Sequence, residues 1–249
     1  MAFPYVRYET YAALRDMDIS HPDIGGTWRL GQMTSWSRWG KTTADLDPIT
    51  ASNEATFDQL QPFTTQVILF AINLGGTSIT PDLEDWRNFH TKGHVGDSTL
   101  KNSIAMAMGR IPEQVPALYL TDVFKLVPTK TAGDLDRRIK VDLAQGIDHI
   151  GRCAEILKEE LRICTAGTGG RPPVLVAMGK EAFLWLTGAK QDTRIAQAVD
   201  EVLGDGAHHC VRQMDHYTFG AGTNEGRAEA LRLVLEEVLL DQQGAPAAV

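Results

Sequence analysis

Four apolar runs stand out along the chain. Gln66 to Ile72 (QVILFAI) and Pro173 to Met178 (PVLVAM) are almost continuously apolar, Ala117 to Leu120 (ALYL) is shorter, and Cys210 to Met214 (CVRQM) is weaker. A near-continuous run of this length marks a strand covered on both faces, as in a parallel sheet, whereas a half-exposed strand alternates. The intervals between runs are long enough for helical crossovers. They carry apolar stripes at helical spacing: Leu100, Ile104, Ala107 and Met108; then Ile150, Cys153, Ala154, Leu157 and Leu161; and, after the last run, Leu231, Val234, Leu235, Val238 and Leu239. The pattern predicts an α/β three-layer sandwich over residues 63 to 241, with a central four-stranded parallel sheet.

Residues 1 to 62 follow a different pattern and read as an extension packed on that core. Trp28, Trp36 and Trp39 lie among glycines and polar residues, close to Arg29, Arg38 and Lys41. Such a set can stack on nucleic-acid bases, but tryptophan more commonly covers a core edge. Residues 242 to 249 (QQGAPAAV) read as a flexible tail.

Composition narrows the function. With 249 residues, 43% of them hydrophobic and 22% charged, the chain has room for one large domain. The net charge of −8 argues against broad, nonspecific binding to nucleic acid, which needs clustered cations. Only a local basic surface would serve, and Lys125, Lys130, Arg137, Arg138 and Lys140 offer one, interrupted by Asp134 and Asp136. Cys153, Cys164 and Cys210 share no C-x-x-C spacing, which disfavours a disulfide framework, a structural zinc or an iron–sulfur cluster. The start lacks a secretion signal and the longest apolar run, Val67 to Ile72, is too short to span a membrane, so the expectation is a cytoplasmic monomer with no membrane partner. LGGTSIT, residues 74 to 80, is not a dinucleotide fingerprint and no phosphate-binding P-loop occurs, so no nucleotide cofactor is expected. His90, His94 and Asp97 lack the tight spacing of a metal site; no cofactor of any kind is expected.

In open parallel sheets, ligands bind beyond the carboxyl ends of the strands. Asn73 follows the first run, Thr121 and Asp122 the second, Gly179 and Lys180 the third, and Asp215 with His216 the fourth. These sets should meet at one edge. Taken singly, Asn73 before two glycines also suits a simple turn, and His216 a structural role.

The residues at these positions carry a resemblance. FAINLGGTS, residues 70 to 78, resembles the first motif of the uracil-DNA glycosylase superfamily, whose mismatch-specific and single-strand-selective branches read G-x-N-P-G after the first strand. LTDVFKLVPT (120 to 129), PPVLVAMGKEAFLWL (172 to 186) and MDHYT (214 to 218) are similar to later segments of that superfamily, in order, and DWRNFH (85 to 90) falls where it places an aromatic residue. Ala71 stands for the motif's first glycine, Leu74 for its proline, and Tyr217 and Thr218 for a Pro-Ser pair.

The resemblance implies a DNA glycosylase that hydrolyses the N-glycosidic bond of a flipped uracil or modified pyrimidine. Asn73 and His216 would be catalytic. Ala71, Ile72, Phe89, Thr121 and Asp122 would hold the base, with Phe89 stacking and Thr121 or Asp122 reading its polar edge. Lys125, Lys130, Arg137, Arg138, Tyr217 and Thr218 would contact DNA. Some members of the superfamily remove bulky modified cytosines from phage DNA. The other classes open to the sequence are a noncatalytic DNA- or protein-binding module and a small-molecule nucleoside hydrolase.

Overall fold

The computed structural model describes residues 3–23, 25–75, 83–218 and 222–244. The expected first motif therefore extends past the described residues after Gly75, as does the tail after Gly244. In chain order the elements are α1 (Tyr8–Asp16), β1 (Ser35–Trp36), α2 (Glu54–Phe57), β2 (Phe63–Asn73), α3 (Val95–Met108), β3 (Ala117–Phe124), α4 (Ala132–Leu143), α5 (His149–Gly167), β4 (Val174–Met178), α6 (Lys180–Leu186), α7 (Arg194–Leu203), β5 (Arg212–Met214) and α8 (Asn224–Gly244).

The four apolar runs form the parallel part of the sheet, but the sheet is not four-stranded and not wholly parallel. Its order is β1-β3-β2-β4-β5. β1, from the N-terminal extension, adds antiparallel to β3, pairing Ser35 with Leu120 and Trp36 with Tyr119. A two-residue strand has no periodicity to read, which is why the sequence pattern missed it. β2 is central, parallel to both β3 and β4, and its residues alternate between two cores. Ile68, Phe70 and Ile72 face α5, α6 and α7; Val67, Leu69 and Ala71 face α3 and α8. Both faces being covered explains the unbroken apolar run. The result is an α/β domain with a mixed five-stranded sheet flanked by helices.

β3 is longer than the run ALYL suggests. It continues through Thr121, Asp122, Val123 and Phe124, all buried. Polar residues that look like the start of a loop are interior to the strand, and their side chains go to different partners: Thr121 to Glu160 of α5, Asp122 to Asn88 of the segment before α3.

The extension supplies an edge strand and part of the core. Trp36 is fully buried and Trp28 nearly so, within an aromatic cluster that includes Tyr11, Phe57, Phe63, Trp86 and Tyr119. These tryptophans cover the core and are not surfaces for base stacking. The Tyr11 hydroxyl donates to the Ile49 carbonyl at 2.9 Å and accepts from Trp86 Nε1 at 2.6 Å. The extension also braces the segment from Leu83 to Thr91. Gln32, Asn88 and Ser35 link it to the Leu83, Met33 and Trp86 carbonyls, and Trp39 Nε1 donates to the Phe89 carbonyl at 3.1 Å. Trp86 and Phe89 both hold φ of 64°, a conformation that costs a non-glycine residue on the order of 1–2 kcal/mol, so this bracing holds strained backbone in place.

His90 sits at the same junction, stacked on Trp39 at 5.2 Å, with Nε2 3.2 Å from the Trp36 carbonyl. Burial pushes its pKa down to about 4. The folded imidazole therefore stays neutral while an unfolded one takes up a proton below about pH 6.5. Stability from this site is fully present above that pH and is lost as pH falls towards about 4, by about 3 kcal/mol in all. His90→Gln keeps a donor for the Trp36 carbonyl but cannot titrate. Urea unfolding of the two proteins between pH 7 and pH 4 should show the wild type losing about 3 kcal/mol relative to the variant. Parallel pH profiles would remove His90 as the cause.

Candidate functional site

A cleft of about 390 Å³ opens at the carboxyl edge of the parallel strands. It is lined by Ala71, Ile72 and Asn73 from the end of β2, by Thr129 to Ala132 from the loop after β3, by Met178 to Ala182 after β4, and by His216 to Thr218 after β5. His94, at the start of α3, completes the wall. A larger cleft of about 600 Å³ between α4, α6 and α7 contains neither Asn73 nor His216. The expected meeting of Asn73 and His216 on one edge is what the fold provides.

Asn73 is fixed at one end. Its Nδ2 donates to the Val127 carbonyl at 2.9 Å and Thr129 Oγ1 at 3.0 Å, with the Leu74 carbonyl also at 3.0 Å. Thr129 Oγ1 can accept because its own proton goes to the Thr131 carbonyl. With acceptors clustered on one side, the amide orientation follows from the network. Among the described residues nothing donates to Oδ1, which is left as the atom able to hold a water.

His216 is also held from one side. The Thr218 backbone N–H donates to its Nδ1 at 3.1 Å, and Thr218 Oγ1 lies 2.8 Å from the same nitrogen. An Nδ1 that accepts places the ring proton on Nε2. Burial first, and the Arg227 charge second, lower the pKa below the ordinary histidine value, so the ring is neutral at physiological pH and presents an Nε2–H donor. Tyr217 stacks on the imidazole at 4.6 Å.

Two further contacts support His216, and one of them, from Arg227, lies outside any motif. Arg227, buried on α8, donates to the His216 carbonyl at 2.9 Å and also bonds Ser103 of α3 and Asn224. Gly179 has φ of 102°, and a Cβ there would lie 2.9 Å from His216 Cδ2 and 3.0 Å from its Cβ. The glycine is needed for both its backbone and the ring against it. A small residue after a strand is a visible signal; an arginine early in a helix looks like an ordinary solvated charge.

The remaining expected residues divide. Ala71 and Ile72 line the cleft. Phe89 and Asp122 lie behind Tyr217: Phe89 is almost fully buried, edge-on to the Tyr217 ring at 6.1 Å. Asp122, paired in register with Ala71, accepts from Asn88 at 2.7 Å through Oδ2, while its buried Oδ1 has no partner among the described residues. Burial pushes its pKa up to about 7 against the lowering effects of Asn88 and Lys125. Burial and the nearby Asp122 and Asp97 hold the Tyr217 phenol well above its ordinary value.

Thr121 is not part of the cleft. Adjacent residues of a strand point to opposite faces, and Thr121 points to α5, donating to Glu160 Oε1 at 2.7 Å. Lys125 is no surface cation either. It is fully buried, with Nζ on Glu160 Oε2 and on the Asp122 carbonyl at 2.6 Å, so it cannot reach a phosphate. Arg137 and Arg138 are exposed on α4 but engaged by Asp134 and Asp142. Lys130 and Thr218 are exposed at the rim and line the cleft, and Tyr217 is partly buried in its wall. His94 bonds Asp97 at 2.8 Å and caps α3, while His90 turns to Trp36. Among the described residues no group of three or more histidine, cysteine or acidic side chains suits a metal ion.

Two outcomes follow from these contacts. Lys125→Met should destabilise the fold by about 3–5 kcal/mol because it leaves Glu160 buried and unpaired, and adding Glu160→Leu should recover much of that loss in urea unfolding. Strictly additive losses would contradict the pairing. Gly179→Ala should strain the backbone by roughly 1–2 kcal/mol and move the His216 ring; an NMR titration should then find its pKa closer to the ordinary histidine value, and an unchanged pKa would deny the contact. Comparison with models of known families, with curated proteins and with solved structures finds no match.

Proposed function

We propose that the chain is a DNA glycosylase that hydrolyses the N-glycosidic bond of an extruded uracil or modified pyrimidine, on a fold of the uracil-DNA glycosylase kind. The observation that carries the reading is the convergence of Asn73 and His216 on one cleft, each tied down at one end with a polar atom left over. Cleavage of a pyrimidine nucleoside puts cationic character on the sugar, as in glycoside hydrolysis, and negative charge on the departing base. His216 Nε2–H would donate to the oxygen where that charge develops. A neutral imidazole suits this task because its donor is aimed in advance and needs no proton uptake.

Asn73 cannot act as a strong base. Its Oδ1 would orient a water towards the sugar carbon, so the base departs first and water captures the cation late. The cleft, within the usual size range of small-molecule sites, admits one ring system. Ala71 and Ile72 form its apolar floor. Phe89 and Asp122 would meet the base only if Tyr217 moves aside.

The latch formed by the Asn73 amide gives one specific reason to keep the noncatalytic reading, since it alone would justify an asparagine at this position. Base release decides between the two. Mass spectrometry of bases freed from uracil-containing, mismatched and naturally modified phage DNA should find a pyrimidine product. His216→Ala should slow release on the order of a hundredfold to a thousandfold, and folded Asn73→Ala should also lose far more rate than DNA affinity. No base from any substrate would leave the cleft as a binding site alone, and wild-type release by both folded variants would remove Asn73 and His216 from the chemistry.

A further inference from the structure

The mouth of the cleft carries charge that the proposed chemistry does not use. Lys130, in the loop after β3, and Lys180, the first residue of α6 after β4, both line it. Both are exposed, and neither has an ion-pair partner among the described residues. Glu181, the one acidic side chain lining the cleft among those residues, is neutralised by Lys190 Nζ at 2.7 Å. The neighbouring arginines of α4 are held by Asp134 and Asp142. On a chain of net charge −8, the mouth is thus a small positive island, and such a field guides anions to the cleft.

The placement of the two lysines is as informative as their charge. β3 and β4 are the neighbours of β2 on its two sides. Two inter-strand spacings separate them, roughly 10 Å. Lys130 and Lys180 therefore follow the strands that flank, one on each side, the strand ending in Asn73, and both line the cleft.

We infer that Lys130 and Lys180 grip the phosphates on the two sides of the nucleotide whose base enters the cleft, so that the ligand is a polynucleotide strand and not a free nucleoside. The inference rests on the glycosylase reading and adds its footprint: two phosphates, not an extended track. Two contacts on a single strand give a slope of log affinity against log salt of about −1.4, or about a sevenfold loss between 50 and 200 mM salt. A nucleoside, having no phosphate, gives none.

Fluorescence anisotropy with a labelled single-stranded oligonucleotide across that salt range tests the grip, with thymidine and thymidine 5′-monophosphate as competitors. Lys130→Gln and Lys180→Gln should each remove about half the slope, and the double variant should bind with little salt dependence. The monophosphate should compete far less well than unlabelled oligonucleotide, and thymidine less well still. A double variant that keeps the wild-type slope overturns the inference, as does a monophosphate that competes as well as the oligonucleotide, since that describes a single-anion site. A slope several times steeper than about −1.4 overturns it too, because the footprint is then wider than two phosphates. The base-release assay separates the two proposals. Release by the wild type with an unaltered salt slope in the double variant removes the grip alone; the expected slopes without any released base remove the glycosylase reading alone.

Discussion

The carboxyl edge of the sheet is organised by a single buried ion pair. Lys125 and Glu160 have no solvent exposure at all, and removing two such charges from water costs several kcal/mol each before any gain from their attraction. Their remaining hydrogen-bonding capacity is therefore met by neighbours: Tyr119 and Thr121 donate to Glu160 Oε1, and Lys125 donates to the Asp122 carbonyl. This network joins three positions of β3 and the residue just beyond it to α5. It fixes which side chains face α5, and by strand alternation it sends Asp122 to the opposite layer, beneath Tyr217. It also sets where β3 hands over to the loop whose Val127 and Thr129 oxygens receive the Asn73 amide. The cleft's geometry is inherited from a contact on the far side of the sheet.

Asn73 and His216 share a design that follows from this rigidity. Each has one polar atom saturated by backbone or hydroxyl groups, from the loop after β3 for Asn73 and from Thr218 for His216, and a second with no partner among the described residues. Saturating one end fixes the amide orientation and the imidazole tautomer, so the remaining atom has a single chemical character: an acceptor on Asn73 and a donor on His216. An acceptor and a donor facing one space is what separating a cationic fragment from an anionic one requires. The supports come from several layers: β3's loop for Asn73, and Thr218, Gly179 and Arg227 of α8 for His216.

Much of this was legible in the sequence, for identifiable reasons. Burial on both faces writes an unbroken apolar run, so β2 and β4 were readable, and a parallel sheet converts strand ends into a common edge, so Asn73 and His216 could be placed together. What failed is where polar residues are interior. Thr121, Asp122 and Lys125 look like a loop because nothing local shows that Glu160, 35 residues beyond Lys125, satisfies two of them. β1 escaped because two residues carry no period. Arg227 escaped because its acceptor, the His216 carbonyl, is a backbone atom that any sequence would supply.

Two buried side chains behind the cleft, His90 and Asp122, constrain the fold in opposite directions. Burial holds the His90 ring neutral down to about pH 4, while burial keeps the Asp122 carboxyl protonated up to about pH 7. As pH falls from about 6.5 to about 4, His90 makes folding less favourable by one proton's worth of linkage, and Asp122 makes it more favourable by the same slope. Over that window the two slopes oppose each other, so neither group dominates the acid response alone. Outside it the balance ends. Between about pH 6.5 and about 7 only Asp122 still changes, because the unfolded histidine has already lost its proton; the folded carboxyl then begins to ionise in a site whose Oδ1 has no donor among the described residues. The neutral form is the one the surroundings favour, and its charge-free carboxyl sits on the same side of the sheet as Tyr217, whose phenol it influences.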